Sequence, residues 1–572
     1  MARIQRTFLS SKYCSMLFSG TVLMVLTALM GISDTLIAGI LLGEDAVTGI
    51  CLALPLFSLA SFFAVCFSYG VPILYAGKIG AFRQEEADRC FGTGLSVAFA
   101  IGILMFLAIS LWGNTYLQLF ETDAAVVQSA AEYLFWMKYA VLLLPLNELL
   151  DGMVFADGDE HITLAANLVQ GLSKMALSVV LCRNMGPRGL ALASFLSFAA
   201  SVLISCSHFL RPGNTLRVNL AFSPAILRDI LRFGVVDAST HLFAAVFIAV
   251  LSFFVTVRFG EEMLILLSVV TLFKQGQIIF EGIGEAITPI LSVYLGEKTF
   301  PGVRNVWKMA RWSMWLESFL STILILAAAP AIVELLGVED PMTALYAVWG
   351  LRLLSLTLVF TCRLFLDSSY FILVERIGLG VFDSLLRDLL PALPLAVLGG
   401  LIGGVYGMFA GLMIAPPIGY LLSVLYICRR YGRENYPLFL AHQEHGRRIL
   451  LYEFRLTPEA VVRVRDEIGE ALRENGCPEK QVVRTMLIFE ELFMLIRDCN
   501  PGKTVLAECA LEIGEVIRMI TKDNGRIVDL TDTDHRVGSL REYIISNVLE
   551  AYTTCRVHQL ALSYNHNALE IR

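Results

Sequence analysis

A carboxylate, Asp34, interrupts the apolar run "TALMGISDTLIAGILLG" at residues 27–43, and an ammonium, Lys174, interrupts "VQGLSKMALSVVLC" at 169–182. An unpaired charge in hydrocarbon is unfavourable by roughly 2.5–3.5 kcal/mol on insertion scales, so each group must face a cavity or a partner. Further along, Lys274, Gln277, Glu281 and Glu285 follow one another at spacings of 3, 4 and 4, which puts them on one helical face. Arg352, Arg363 and Asp367 share a second face in the same way. Two kinds of chemistry suit such groups. A carboxylate can gain and lose a proton or a metal cation along an ion pathway, or it can sit in a static ion pair that holds helices together. Both roles stay open for Asp34 with Lys174 and for the second set. No residue is assigned to catalysis. Twelve cysteines are scattered singly with no CxxC pair, which argues against zinc and against a disulfide framework.

The elements that carry these groups are membrane helices. Of 572 residues, 56% are hydrophobic and 17% charged, against about 25% charged in a soluble chain. The mean hydropathy is +0.68. The net charge of −7 is not clustered, so nothing indicates a nucleic-acid partner. About twelve stretches of 18 or more mostly apolar residues precede residue 430, over 15–41, 48–76, 91–112, 131–155, 162–182, 189–210, 234–257, 263–294, 309–330, 343–373, 380–402 and 405–428. The basic N-terminal segment lacks a signal-peptide pattern, so the first stretch is read as a retained span.

With the N-terminus cytoplasmic, about nineteen Lys and Arg fall on inner segments. Only Arg183, Arg188 and Arg258 fall on outer ones. That asymmetry predicts an inner (plasma) membrane protein with both termini in the cytosol. The longest connection splits the helices six and six, and the halves echo each other. "FSG" at 18–20 matches "RFG" at 232–234, and "GVPILYAGKIG" at 70–80 matches "ITPILSVYLGE" at 287–297, about 215 residues apart. Repeated halves predict a transporter with a central site between two bundles. In this layout Asp34 and Lys174 lie at similar depth, roughly 10 Å below the outer side. Glu281 falls near Arg363, while Glu148 and Asp151 are expected at the inner interface.

After residue 430 a polar linker leads into a soluble α/β pattern. "TPEAVVRVRDEIGEALRENG" reads as a helix with Thr457 as N-cap and Pro458 in its first turn, and "EKQVVRTMLIFEELFMLIRD" as a second. "KTVLAECALEI", "EVIRMITKD", "VHQLALSY" and "ALEIR" read as strands and "SLREYIISNVLEAY" as a helix. The expected fold is therefore an all-α polytopic membrane protein of 12 transmembrane helices in two six-helix bundles, plus a C-terminal α/β sandwich. Its expected parts are an N-terminal bundle over 1–210, a cytoplasmic connection over 211–232 and a second bundle over 233–430. A linker over 431–453 and a cytosolic domain over 454–572 complete the chain.

"MGISDTLIAGILLGEDAVTGICLALP" resembles the helix 1–2 segment of MATE (multidrug and toxic compound extrusion) transporters, with Asp34 at the family's coupling aspartate. "FADGDEHITLAANLVQGL" resembles its loop into helix 5, with Asp157 and Gly158 at the family's "DG". The resemblance covers about residues 10–430. It implies cation-coupled antiport by a protein embedded in membrane lipid, in which H+ or Na+ entry drives a small amphipathic, often cationic, organic substrate out. The family's helix 5 usually offers an Asn and, one turn later, an Asp; here Lys174 and Ser178 stand there. A fixed ammonium beside Asp34 would repel sodium, so coupling is either altered, with Lys174 or a second-bundle carboxylate carrying the proton, or lost; the expected device is an Asp34–Lys174 pair that opens and closes during transport.

The C-terminal part resembles the GHKL nucleotide-binding fold in the branch of anti-sigma-factor serine kinases. "IFEELFMLIRDC" places Glu491 at the general-base position, and "KDNGR" places Asp523 against the adenine amino group and Gly525 at the tight turn. Leu495 replaces the metal-binding Asn, and an apolar side chain gives Mg²⁺ no oxygen. This argues against a working kinase or ATPase using Mg-ATP, and for a degenerate regulatory domain with a cytosolic protein partner. Two other readings compete with the exporter. One is a flippase of lipid-linked precursors in the same superfamily, which would want a basic cavity. The other is a membrane sensor or serine kinase, which would bind Mg-ATP.

Overall fold

The computed structural model describes residues 7–42, 44–118, 124–211, 213–217, 222–260, 263, 265–335, 340–440, 448–527 and 553–572. Within the helices, the side chains of residues 31–36 and of several positions between 39 and 69 and between 237 and 268 lie outside that description. Asp34 is one of them. The helix expected over 539–552 also lies outside the described residues.

The first half of the sequence forms six helices: α1 (Phe8–Leu41), α2 (Glu44–Gly80), α3 (Gln84–Leu117), α4 (Ala124–Ala156), α5 (Glu160–Met185) and α6 (Pro187–Cys206). The first starts at a capping box, in which Thr7 Oγ1 accepts from Ser10 N–H and Ser10 Oγ accepts from Thr7 N–H. Gly186, at φ 61°, and Pro187 make the sharp corner between α5 and α6.

The second half is more broken. It comprises α7 (Pro224–Phe259), α8 (Ile265–Gly276), α9 (Glu281–Glu297), α10 (Phe300–Leu335), α11 (Pro341–Ser355), α12 (Leu358–Leu373), α13 (Ile377–Asp388) and α14 (Ala392–Tyr431). A 3-10 turn over Gln277–Phe280 joins α8 to α9. The axis bends by 50° between α11 and α12. Gly403 and Gly404 leave helical geometry inside α14. The chain reverses there, because Gly399 lies against the carbonyl of Gly407 and Gly411 against that of Leu395.

Among the described residues, nine helices are long and apolar enough to cross a membrane, or ten if α11 and α12 form one span. The expected twelve are not reached by that measure. Large apolar side chains such as Leu111, Trp312, Leu324 and Ile402 stand on the outside, as acyl-chain contact requires.

The halves meet through small residues. An ideal Cβ on Gly80 of α2 would lie 2.3 Å from Val293 O of α9, and one on Gly296 would lie 2.5 Å from Gly77 O. The two segments that echo each other in sequence therefore pack on each other, backbone to backbone. Gly20 of α1 meets Gly282 of α9 similarly, at 2.9 Å. Without a hydrophobic drive between helices in lipid, such close approach supplies the packing.

The C-terminal portion has one five-stranded antiparallel sheet in the order β1-β2-β3-β5-β4. The strands are β1 (Arg448–Arg455), β2 (Leu506–Ile513), β3 (Ile517–Asp523), β4 (Thr553–Ala561) and β5 (Tyr564–Ile571). The first begins inside the stretch expected as linker. Helices α15 (Pro458–Glu474) and α16 (Glu479–Asp498) cover one face around Val464, Ile468, Phe489, Phe493, Cys509 and Met519. Thr457 caps α15, accepting from Ala460 N–H. The other face is also buried, against the helix bundle: Tyr564, Leu562 and Ala561 join the core of the membrane helices. This explains why the strands read as nearly continuous apolar runs rather than alternating ones.

Candidate functional site

A cavity of about 530 Å³ lies between the two halves. From the first half it is lined by Thr27 and Met30 of α1, Asn147, Glu148 and Asp151 of α4, and Asn167 and Gln170 of α5. From the second half come Thr240 of α7, Lys274 of α8, Gln277, Glu281 and Glu285, and Phe365, Arg387 and Asp388. Spacings of 3 and 4 put each helix's contributors on one face, and on α5 the opposite face, with Val169 and Leu172, stands on the outside.

The first-half wall is built on amides. Asn167 Nδ2 donates to Asp151 Oδ1 at 2.6 Å and to Thr163 O at 3.0 Å. Asn147 Nδ2 donates to Gln170 Oε1 at 3.2 Å. The Oδ1 of Asn147 is buried and has no hydrogen-bond partner among the described residues. On the second-half wall, Lys274 Nζ donates to Asp388 O at 3.0 Å and lies 4.0 Å from the centre of the Phe247 ring. Arg387 pairs with Asp388 at 2.7 Å and lies over the Phe365 ring at 3.5 Å. Among the described residues, five carboxylates (Glu148, Asp151, Glu281, Glu285, Asp388) and two cations (Lys274, Arg387) line the cavity, a formal −3 with every group ionised. Such a cavity draws in cations or protons, because crowded carboxylates out of bulk water cannot all stay charged and uncompensated.

Residues 21–180 match the MatE family model. Over 313 residues, 52% of this chain and 67% of the relative, the sequence is 25% identical to "Probable multidrug resistance protein YoeA" of Bacillus subtilis (strain 168). A structure of MATE in complex with MaL6 superposes with a TM-score of 0.67 at 18% identity, covering 73% of this chain and 95% of that one. A MOP-superfamily transporter from Pyrococcus furiosus Vc1, whose structure is described as having a binding pocket of reversed polarity, superposes at 0.66 and 18%, over 73% and 95%. The fold is that of the MATE transporters.

Lys274, Gln277, Glu281 and Glu285 stand on one cavity wall. The Asp34–Lys174 pairing lies outside the described residues on the Asp34 side. Lys174 is half-buried on α5, and Ser178, one turn on, is fully buried with no partner for its hydroxyl among the described residues.

Arg363 does not line the cavity that holds Glu281. It pairs within its own helix, with Asp367 at 3.0 Å, and lies over the Trp307 ring at 5.2 Å. Tyr436, beyond the last membrane helix, donates to Asp367 at 3.0 Å. Arg352 is set apart from these groups by the bend between α11 and α12 and lies by Trp349. Depth along a helix does not fix the side to which a group points.

Glu148 and Asp151, expected at the inner interface, instead line the central cavity. Sequence reasoning also missed Asn147, Asn167, Gln170 and Arg387. The signal was present, since Asn167 and Gln170 stand three apart in an apolar helix.

In the C-terminal portion, Asp523 and Gly525 come together, but as a turn. Asp523 Oδ1 accepts from Gly525 N–H at 2.9 Å and from Asn565 Nδ2 at 3.0 Å. Glu491 and Leu495 are half-buried on α16. Asn500, just past that helix, accepts from Arg526 N–H at 2.7 Å and braces the same turn.

Proposed function

We propose that this chain is a MATE-type multidrug exporter that couples H+ or Na+ entry to the outward movement of amphipathic organic cations by alternating access. The observation that carries the reading is the carboxylate-rich cavity between two echoing halves. An organic cation would compensate the acidic wall, and a proton or metal cation would replace it when the cavity faces the other way. Glu148, Asp151, Glu281 and Glu285 are the proposed exchanging carboxylates, with Asn147, Asn167 and Gln170 supplying neutral oxygens. Asp34 and Lys174 are proposed as an internal pair that opens and closes during the cycle, with Ser178 beside it. Arg363 with Asp367 is assigned to holding the second half together.

The proposed layout is twelve spans in two halves, in the plasma membrane, with both termini and the C-terminal sheet in the cytosol. The proposed boundaries are 1–210, 211–232 and 233–430, then a linker that ends before β1 at Arg448 rather than at 453, and a regulatory domain from there to 572. A flippase of lipid-linked pyrophosphate is disfavoured by the sign of the cavity.

Reconstitution into liposomes tests the reading. Efflux of a fluorescent lipophilic cation should follow an imposed proton or sodium gradient, and Asp151→Asn and Glu281→Gln should each slow it by roughly tenfold or more, the scale of one lost charge-assisted interaction. Efflux that ignores both gradients, or that survives both substitutions intact, would remove the proposal. Lys174→Ala and Asp34→Asn, assayed across about pH 6–8, where an exchanging carboxylate would operate, test the pair. If both match the parent throughout, the pair has no part in coupling.

A further inference from the structure

The face of the C-terminal sheet away from α15 and α16 carries one polar row that crosses all five strands. Register aligns Glu453 with Glu508, Glu508 with Lys522, Lys522 with His566 and His566 with Gln559. Because strand side chains alternate, all five point to the same side, toward the membrane helices.

The middle of the row engages the second half. Lys522 Nζ lies 2.8 Å from Glu297 at the end of α9 and 2.8 Å from Glu508. Tyr294 of α9 donates to Glu508 Oε2 at 2.6 Å, and its ring lies 3.6 Å under the Lys522 ammonium. His566 Nε2 faces Glu297 Oε1 at 2.9 Å. The side chains of Glu297, Glu508, Lys522 and His566 are all 1% exposed or less.

The end of the row engages the first half. Gln559 Nε2 donates to Ile79 O near the end of α2, and Phe82 packs on the His566 ring at 4.2 Å. The β4–β5 turn reaches the α4–α5 connection. Leu562 and Ser563 both adopt left-handed φ, 51° and 60°, and Ser563 Oγ donates to Asp157 O at 3.2 Å. The Leu562 backbone lies so close to Gly158 that a Cβ there would sit 2.2 Å from its carbonyl carbon. Tyr564 meets Phe8 of α1 edge-on at 4.9 Å.

The sheet thus grips both halves where Gly80 and Gly296 bring α2 and α9 into backbone contact. Opening the central cavity on that side requires these helix ends to part, and the row cannot hold Ile79 and Glu297 at once when they do. From this geometry we infer that the C-terminal sheet is an autoinhibitory clamp: docked, it keeps the cavity shut on the sheet side, and it must release one half before transport proceeds. A cytosolic protein or ligand that competes for the row would act as the activator. The inference rests on the alternating-access reading above.

The test uses the full chain in lipid nanodiscs, in a cysteine-free background, with spin labels at Arg83→Cys and Lys308→Cys near the sheet-side ends of the two halves. Lys522→Met keeps the stem and removes the ammonium. Gln559→Ala removes the contact to Ile79 of the first half and the 3.1 Å contact to His566 Nδ1, and it takes no charge from the row. The parent should show mainly one short distance. Both variants should enlarge the long-distance population, Lys522→Met by roughly tenfold or more, the shift expected when a buried ion pair is broken, and both should speed efflux in liposomes.

If Gln559→Ala melts like the parent and neither variant changes the distances or the efflux rate, the clamp is refuted. If no protein, parent or variant, ever populates the long distance with a lipophilic cation and the driving cation titrated in, alternating access itself fails and the clamp with it. Opening in the parent that both variants leave unaltered refutes the clamp alone.

Discussion

Gly80 of α2 has no room for a side chain, because an added Cβ would come within 2.3 Å of Val293 O on α9. The contact joins the two halves, and the lack of a side chain is what lets the backbones meet. Gly80→Val should destabilise the folded protein by about 1–3 kcal/mol, the usual range for overpacking, and lower its melting temperature in detergent. Gly77→Ala is the matched control, since a Cβ at Gly77 meets nothing within 4 Å. Equal melting of the two variants would contradict this view of the interface.

Asn167 fixes Asp151 in the cavity wall through a 2.6 Å hydrogen bond. A hydrogen bond to a carboxyl group contributes about 0.5–3 kcal/mol, the upper part of that range when the group is ionised. Asn167→Ala should therefore weaken dependence on the driving cation by roughly tenfold or more while leaving the protein folded, read as the ion concentration giving half-maximal efflux. An unchanged half-maximal concentration would exclude Asp151 from coupling.

Acid should loosen the α4–α5 connection. Burial alone would raise the Asp159 carboxyl, but His208 at 2.5 Å and Arg211 at 2.6 Å outweigh it and hold the group below its ordinary value. A carboxylate whose folded pKa is depressed contributes stability that is complete above its unfolded pKa and lost as pH falls through the folded one. Melting temperature should fall between about pH 5 and about pH 2, and Asp159→Asn should flatten that part of the curve. Parallel curves for parent and variant would show that Asp159 is not the titrating group.

Asp523 is committed to its turn and to Asn565. Asp523→Ala leaves the buried Asn565 amide with one acceptor fewer and should destabilise the sheet by about 1–3 kcal/mol. The parent chain should show no saturable Mg-dependent ATP binding by calorimetry. Binding that Asp523→Asn abolishes would restore the nucleotide reading.

Membrane helices were legible because lipid demands long apolar runs with internally bonded backbones, and that demand is local in sequence. The Thr457 cap, the strands near 506–523 and the face shared by Lys274, Gln277, Glu281 and Glu285 follow from equally local rules. Helix breaks were not legible. The reversal at Gly403 and Gly404 and the bend after Ser355 hide inside unbroken hydropathy.

By itself, the sequence determined that the chain lives in a bilayer, that it repeats a motif about 215 residues apart, and that charges inside its helices need company. Tertiary structure alone decided which company they keep. It put Asp151 beside Asn167, Arg363 beside Asp367 rather than Glu281, and Lys522 beside Glu297. The physical reason is that periodicity fixes a residue's face and depth on its own helix, whereas a partner is chosen by how helices rotate and close on one another, and glycines hundreds of residues apart set that closeness.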